Sequence, residues 1–224
     1  MAAVPRDTIP APERLRLTEI FASLQGEADT VGWPTVFVRL TGCPLRCVYC
    51  DTTYSFYGGE WFSIDSVIEQ VRALGPRHVC VTGGEPLAQP NALTLMQRLC
   101  DAGFRVSLET SGAVDASGVD ERVVRVLDVK TPGSGEMHRN VLSNVEAPRP
   151  SDLIKFVITS REDYDWSRAF CAQYRLPQQA QVLFSPAFGA VEPRALAEWI
   201  LEDRLDVRFQ LQLHKLLWGE EKGR

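Results

Sequence analysis

The sequence predicts an α/β fold with a mainly parallel β-sheet. Short apolar runs rich in β-branched residues recur along the 224 residues, and segments with helical periodicity lie between most of them. Strands that alternate with helices pair in parallel, because each helix returns the chain to the end of the sheet where the next strand starts. Two shapes fit this pattern: an open doubly wound sheet and a partial barrel. No G-x-G-x-x-G follows the first main strand, which disfavours a dinucleotide-binding sheet, and about six βα units are too few for a closed eightfold barrel.

Eight segments are predicted to be strands, because they are short and rich in Val, Ile, Leu and Phe. In chain order they are 16–21, 35–40, 78–82, 105–109, 123–129, 153–159, 181–184 and 207–213. The first of them is expected to lie at an edge of the sheet.

Four segments are predicted to be helices: 63–74, 90–101, 162–174 and 193–203. In the first helix, apolar residues recur at i, i+3, i+4 and i+7 from Ile64, and Ser63 precedes them as an N-cap. Gly103 is expected to end the second helix, and Pro193 to stand in the first turn of the fourth. The segment 131–150 is rich in Gly, Pro, Ser and Asn, which predicts a long loop.

The chain is predicted to form one domain over residues 15–224, preceded by a flexible tail over 1–14 that contains three prolines. The tail has neither the apolar segment nor the basic lead of a signal peptide. No apolar run reaches the roughly 18 residues that span a bilayer. We therefore expect a cytoplasmic protein.

The composition is that of an ordinary globular protein, with 45% apolar and 24% charged residues and a formal charge of −5. No basic run suggests a nucleic acid or a membrane surface as partner. Disulfides rarely persist in the cytoplasm, so clustered cysteines there suggest a metal site or catalysis. Cys80, Cys100 and Cys171 are scattered and are expected to be buried, small apolar side chains.

The unusual polar and Gly-rich stretches follow the strand candidates directly. In chain order they are GCPLRCVYCDT (42–52), GGEP (83–86), TSG (110–112), KTPG (130–133), SP (185–186) and HK (214–215). In parallel sheets and barrels the carboxyl ends of the strands share one face, and ligands bind there. We therefore expect the chemistry of this chain to collect on one rim.

Cys43, Cys47 and Cys50 form a C-x3-C-x2-C cluster. Thiolates bind zinc and iron–sulfur clusters, but a structural zinc site needs four protein ligands. No fourth Cys or His lies at the usual short spacing, and His78 and His138 are single histidines far along the chain. An iron–sulfur cube with three protein thiolates leaves one iron open, as a catalytic metal site requires. A simple ferredoxin would have four cysteines for each cubic cluster.

The spacing closely resembles the signature of the radical S-adenosylmethionine enzymes, as does the aromatic Tyr49 before the last cysteine. GGEP resembles the motif of that superfamily for the methionyl amino group. The resemblance implies that the amine and carboxylate of S-adenosylmethionine chelate the open iron. An electron from the cluster then cleaves the S–C5′ bond and gives a 5′-deoxyadenosyl radical. Zinc and a disulfide are the weaker alternatives.

A wider pattern resembles the 7-carboxy-7-deazaguanine synthase family, from about residue 17 to 218. It consists of FASLQGEADTVGWPTVFVRLTGC, CDTTYSF, VTGGEP, DVKTPGSGE, SPAFG and QLQLHKLLW. The resemblance implies a shortened β/α barrel of the TIM type, usually dimeric. It also implies a carbon–nitrogen lyase that converts 6-carboxy-5,6,7,8-tetrahydropterin to 7-carboxy-7-deazaguanine. That reaction contracts a ring and releases ammonia, on the route to queuosine in tRNA and to other deazapurines.

The same resemblance implies roles for individual residues. Substrate contacts are expected from Leu24, Gln25, Gly26, Arg39 and Thr82. Contacts with S-adenosylmethionine are expected from Tyr49, Cys50, Asp51, Gly84, Glu85, Asp128, Val129, Lys130 and Ser185. The ligands of a [4Fe–4S] cluster would be Cys43, Cys47 and Cys50, and Thr52 would be the protein ligand of Mg²⁺. Glu109 and Thr110 are expected to face the cofactor ribose, and Ala28 replaces a Gly that is usual in the family.

Partners follow from the resemblance as well. They are the small pterin substrate, an external one-electron reductant of the flavodoxin type, and a second copy of the chain in a homodimer. Two other functions share part of the pattern. A glycyl-radical enzyme activase has the same cysteine spacing but acts on a protein, and a metal-binding module without enzymatic activity would not cleave S-adenosylmethionine.

Overall fold

The computed structural model describes residues 5–8, 10–219, 221 and 223. Of the predicted tail, residues 1–4 and 9 lie outside the described residues. The rest of the tail contains two single-turn 3-10 helices, Arg6–Thr8 and Ala11–Glu13, and the first strand begins at Arg14. In the described part of the chain, no helix is long and apolar enough to cross a membrane.

One nine-stranded sheet organises the described chain. Its strands are β1 (Arg14–Leu24), β2 (Pro34–Leu40), β3 (Glu60–Ser63), β4 (His78–Gly83), β5 (Arg105–Thr110), β6 (Val124–Asp128), β7 (Leu153–Ile158), β8 (Gln181–Pro186) and β9 (Arg208–Phe209). Their spatial order is β3-β1-β2-β4-β5-β6-β7-β8-β9. β1 pairs antiparallel with β2 and β3, and all the other pairings are parallel.

The order of the parallel strands decides between the two predicted shapes. From β2 to β9, each parallel strand adds beside the previous one on the same side. A doubly wound sheet would reverse direction part-way, whereas a barrel keeps this sequential order. The end strands β3 and β9 do not pair with each other, so the barrel stays open. The predicted α/β fold with a partial barrel is confirmed.

The helices are α1 (Ile64–Leu74), α2 (Asn91–Asp101), α3 (Ser143–Glu146), α4 (Arg161–Tyr174), α5 (Pro193–Glu202) and α6 (Leu213–Trp218). All four predicted helices are present. Ser63 caps α1 as predicted, since its hydroxyl accepts a hydrogen bond of 3.2 Å from the Ser66 amide. α1 buries Val67, Ile68 and Val71 in the main core, which the strands share.

The inner face of the barrel is built in layers. Strand register places Val126, Leu153 and Leu183 on this face, where they pack with Ala28 in a small apolar cluster. Two residues further along the same strands, and therefore on the same face, stand Asp128, Lys155 and Ser185. The apolar layer thus closes the interior below a polar layer.

Two predictions about the ends of the sheet are wrong. The first strand is not at an edge, because β3 pairs with its outer side. The last strand, predicted over 207–213, ends at Phe209, and α6 begins at Leu213. The predicted loop 131–150 is confirmed in outline but contains three short helical turns, Pro132–Ser134, Met137–Arg139 and α3.

Just after the last strand, the Gln210 amide still donates to the Phe184 carbonyl of β8 at 3.0 Å, while the Gln210 side chain bonds a distant turn. The buried Gln210 side chain donates to the Ala28 carbonyl at 2.8 Å and accepts from the Ala28 amide at 2.7 Å. Ala28 is fully buried and has a left-handed backbone, with φ of 63°. The residue that replaces the usual glycine therefore keeps the conformation that glycine adopts more readily.

Candidate active site

A cavity of about 720 Å³ opens at the carboxyl ends of the parallel strands. Most of the predicted site residues line it: Leu24, Gln25, Arg39, Cys43, Cys47, Tyr49, Cys50, Asp51, Thr52, Thr82, Gly84, Asp128, Lys130 and Ser185. The predicted residues outside its lining are Gly26, Glu85 and Val129. The structure thus places most of the predicted site residues around one cavity, at the ends of the strands where they were expected.

The cysteine loop, residues 43–50, forms one wall and is braced by the loop that follows β6. The Val48 amide donates to the Ser134 carbonyl at 3.1 Å, and the Arg46 amide donates to the Glu136 carboxylate at 2.6 Å. The Arg46 guanidinium donates a hydrogen bond to the Cys43 carbonyl at 2.8 Å. These bonds shape the loop before any metal binds.

The three thiols of the cysteine loop are free and partly exposed. Burial raises the pKa of each, and that of Cys47 to about 11. Repulsion from Cys50 and Cys43 adds to the rise at Cys47, whereas the Lys130 charge opposes the rise in all three thiols. Metal binding would displace these protons.

No three His, Cys, Asp or Glu side chains of the described residues are placed to hold a single metal ion. All six cysteines are free, so the disulfide alternative finds no support.

GGEP begins at the end of β4 and packs directly on the cysteine loop. Gly83 has φ of 146°, a conformation that favours glycine. A Cβ on Gly84 would lie 2.3 Å from the Gly42 carbonyl oxygen and 2.7 Å from the Cys43 Cβ. The missing side chains therefore let the two segments meet.

Glu85 is fully buried and its carboxylate is already occupied. It accepts from the Leu87 amide at 2.9 Å, from the Ser111 amide at 2.7 Å and from the Thr110 hydroxyl at 2.9 Å. The side chain ties the end of β4 to the end of β5. In this arrangement Glu85 supports the cavity wall instead of lining it, and Thr110 also faces Glu85.

Arg39 and Thr82 stand side by side on β2 and β4, since they are register partners. The Arg39 Nε donates to the Glu19 carboxylate at 2.7 Å, and the Tyr54 hydroxyl donates to the same oxygen at 2.8 Å. Glu19 thus orients the guanidinium in the cavity wall. The sequence prediction did not include Glu19 or Tyr54, because their link to Arg39 is not local in the chain.

Two buried ion pairs form the polar layer of the barrel interior. Lys155 pairs with Glu27, which also accepts from the Gln212 amide at 2.8 Å. Burial raises the pKa of Glu27, but the Lys155 charge together with the hydrogen bonds from Lys155 and Gln212 outweighs burial and lowers that pKa to about 2. Lys130 pairs with Asp128 at 2.9 Å. Burial opposes the charge on Lys130, but Asp128 raises its pKa to about 12.

Lys155 was not among the predicted site residues, although the sequence carries a signal for it. A lysine within the apolar strand candidate LIKFVIT is unusual, because buried lysines occur only with a partner. The partner, Glu27, lies 128 positions away in the chain, so the pair could not be read from spacing.

Gly26 has a different neighbour from the one predicted. A Cβ there would lie 2.1 Å from the His214 Nδ1, and the Leu213 amide donates to the Gly26 carbonyl at 3.0 Å. The close approach that the glycine permits is thus made by the C-terminal segment. Burial lowers the pKa of His214, which favours the neutral imidazole. Gly219 also lines the cavity, so the chain after His214 contributes to its wall.

Four buried polar atoms in the cavity lining have no hydrogen-bond partner among the described residues. They are the Gln25 Nε2, the Tyr49 hydroxyl, the Glu109 Oε1 and the Asp128 Oδ1. Burying an unpaired polar group is costly, so several around one cavity indicate polar ligands that complete them.

Comparison with known proteins matches this site to a family. The model of the Radical SAM superfamily matches residues 37–132, which include the cysteine loop and GGEP. The 7-carboxy-7-deazaguanine synthase of Koribacter versatilis is 44% identical, covering 92% of this chain and 98% of its own length. That of Chlorobaculum tepidum is 43% identical and covers 92% and 96%. The chain belongs to the 7-carboxy-7-deazaguanine synthase family.

Solved structures agree on the fold. QueE from Escherichia coli matches with a TM-score of 0.74 and 23% identity, over 90% of this chain and 95% of its own. Streptococcus suis SuiB bound to S-adenosylmethionine matches with a TM-score of 0.53 and 14% identity, over 80% and 46%. The predicted 7-carboxy-7-deazaguanine synthase family, and with it a radical S-adenosylmethionine enzyme of deazapurine and queuosine biosynthesis, is confirmed.

Membership in the 7-carboxy-7-deazaguanine synthase family implies a [4Fe–4S] cluster and S-adenosylmethionine, and the cavity suits both. The cysteine loop supplies three soft thiolate donors and no fourth. Gly84 lets GGEP pack directly against the loop, and the unpartnered oxygens of Tyr49 and Asp128 can bond a polar cofactor.

Proposed function

We propose that the protein converts 6-carboxy-5,6,7,8-tetrahydropterin to 7-carboxy-7-deazaguanine, with ring contraction and loss of ammonia. The observation that supports this most strongly is one cavity that joins three free thiols to a rim of buried, unsatisfied polar groups. The relatives with the same reaction in their names match over nearly their whole length. We also propose that residues 15–224 act as a single domain, since one sheet runs through it.

The cluster would be held by Cys43, Cys47 and Cys50. Together with S-adenosylmethionine, the bound cluster supplies a radical able to remove a hydrogen atom from the substrate. The cavity residues proposed to hold S-adenosylmethionine are Tyr49, Asp51, Gly84, Asp128, Lys130 and Ser185, with the backbone of Val129 between two of them. Glu85 would act indirectly, because its carboxylate holds the strand ends on either side.

The substrate carboxylate is proposed to bind Arg39. The guanidinium lies on the cavity wall beside Thr82, and Glu19 fixes its orientation through Nε. A guanidinium pairs with a carboxylate through charge-assisted hydrogen bonds. Leu24 and Gln25 line the same cavity, whereas Gly26 would act by allowing His214 to approach the wall. These residues position the substrate and exclude water, which is the protein's part of the catalysis.

Thr52 is proposed to bind Mg²⁺ together with substrate oxygens and water. Its hydroxyl lies in the cavity lining and donates to the Asp51 carboxylate at 2.8 Å. Mg²⁺ prefers hard oxygen ligands and keeps several waters, so one hydroxyl near a carboxylate suits it. Thr52→Val should lose any stimulation of turnover by Mg²⁺, and Thr52→Ser should keep it.

Two further parts of the proposal concern partners. An external one-electron reductant of the flavodoxin type would reduce the cluster, and two copies of the chain would form a homodimer. Light scattering on the purified protein tests the dimer, and activity with a flavodoxin in place of dithionite tests the reductant.

The decisive experiment is anaerobic reconstitution with iron and sulfide, followed by incubation with S-adenosylmethionine, reductant and the carboxytetrahydropterin, with and without Mg²⁺. Mass spectrometry should detect 7-carboxy-7-deazaguanine. Cleavage of S-adenosylmethionine without this product would favour a different radical enzyme, such as an activase with a protein substrate. No cleavage in any condition would favour a metal-binding module.

A further inference from the structure

The polar layer of the barrel interior contains more carboxyl groups than cations. The cations Lys130 and Lys155 face the three carboxyl groups of Glu27, Glu109 and Asp128. Each lysine has its own partner: Lys155 bonds to Glu27, and Lys130 bonds to Asp128 at 2.9 Å. Glu109 is left without an ion pair to either lysine.

Glu109 stands near the end of β5, and its side chain lines the cavity. Its Oε1 is buried and is without a hydrogen-bond partner among the described residues. The next residue, Thr110, donates a hydrogen bond to Glu85 instead, so only the first of the two consecutive side chains has a free carboxyl oxygen in the cavity. Glu109 is thus a carboxyl group presented to whatever fills the cavity.

The surroundings favour the neutral acid at Glu109. An ionised Glu109 would put three anions beside two cations in a buried layer, and an unpaired buried charge is costly. Burial raises the pKa of Glu109 to about 8; attraction to Lys155 opposes the rise, and repulsion from Glu27 and Asp128 adds to it. Cys80, which faces it from β4, contributes no charge at neutral pH, because burial raises its pKa to about 12.

We propose that Glu109 is a catalytic acid–base residue that delivers the proton to the nitrogen lost as ammonia. This inference rests on the proposed function, because it is that reaction which expels a ring nitrogen. As the C–N bond breaks, its electron pair leaves with the nitrogen, which takes the Glu109 proton. The adjacent carbon then gives a proton to the Glu109 carboxylate as the double bond forms. The residue ends in its starting state, and no electron is gained or lost in the step.

The test compares Glu109→Gln and Glu109→Asp with the parent and with the control Glu198→Gln, which alters an exposed ion pair on α5. In Glu109→Gln, product formation should fall by about 100-fold or more, the usual contribution of acid–base catalysis. Binding and cleavage of S-adenosylmethionine should persist. The parent should lose kcat as pH rises through about 8, and Glu109→Asp should keep a descending limb.

A second measurement does not depend on the substrate. Difference infrared spectra of the parent minus Glu109→Gln should show a protonated carboxyl band at neutral pH that disappears near pH 8. Absence of this band would overturn the proposal even if the parent makes the product. A parent that shows the band but makes no deazaguanine would refute the proposed function, and with it the step assigned to Glu109. Loss of S-adenosylmethionine binding in Glu109→Gln would show that Glu109 serves the cofactor ribose, and unchanged product formation would also refute the proposal.

Discussion

The contact between GGEP and the cysteine loop can be tested by adding one methyl group. In Gly84→Ala, the new Cβ would lie 2.3 Å from the Gly42 carbonyl oxygen, 2.6 Å from its carbon and 2.7 Å from the Cys43 Cβ, whereas real contacts do not fall below 3.0 Å. Two of these neighbours are backbone atoms and cannot rotate away. The cysteine loop must therefore shift as a unit.

Overpacking of this kind costs about 1–3 kcal/mol, and each kcal/mol lowers Tm by roughly 2–4 °C in a chain of this size. Because the shift displaces Cys43, reconstituted Gly84→Ala should also bind less iron. The matched control is Gly118→Ala, whose Cβ would meet only the Leu93 Cδ1, at 3.4 Å. Melting curves and iron analysis of both variants decide the matter. Equal Tm and equal iron content would refute the close packing of the two segments.

Three other substitutions test separate features. Ala28→Gly removes the steric penalty of the left-handed backbone at φ of 63° but also removes a buried methyl group from the inner apolar cluster, about 1 kcal/mol in each direction, so Tm should change by less than about 2 °C; a larger shift would contradict this balance. Asp152→Ala should lower the free energy of unfolding, measured in urea, by about 3–5 kcal/mol. The Arg125 Nε donates to the Asp152 carboxylate at 2.9 Å, and the substitution leaves the buried Arg125 without its counter-charge. Adding Arg125→Met to the same variant should recover part of the lost free energy. Glu109→Gln should gain stability over the parent as pH rises from about 4.5 to 8, because the folded parent binds a proton there that the unfolded chain has released; a gap in Tm that stays constant with pH would contradict this.

Much of the fold could be predicted because its signals are local. Apolar β-branched runs predicted β2 and the strands from β4 to β8, and Ser63 predicted the start of α1, whereas β3 was not predicted. The positions of polar stretches after strands predicted the cavity, since parallel strands bring their carboxyl ends together. The two wrong strand predictions lie where residues distant in the chain pair: β3 pairs with β1, and the Leu213 amide bonds the Gly26 carbonyl where α6 replaces the predicted end of the last strand.

Site residues that belong to a local sequence motif could be predicted, whereas those that depend on a partner far away in the sequence could not. The cysteine loop and Gly84 follow from their spacing and lie where expected. The Lys155–Glu27 pair and the unpaired carboxyl of Glu109 depend on strand register, because only the register shows which ionisable groups share the interior. The sequence alone does not show which of these ionisable residues pair with each other and which one is left without an ion pair.

The most direct test of the central claim separates the three cysteines of the loop from the other three. The reconstituted parent, Cys47→Ala and Cys171→Ala are compared for 5′-deoxyadenosine and 7-carboxy-7-deazaguanine formed from the carboxytetrahydropterin. Cys47 lines the cavity, whereas Cys171 lies buried in α4 within the main core. The parent and Cys171→Ala should make both compounds, and Cys47→Ala should make neither. Full activity in Cys47→Ala, or none in the parent, would contradict the assignment of this cavity as a radical S-adenosylmethionine site for deazaguanine synthesis.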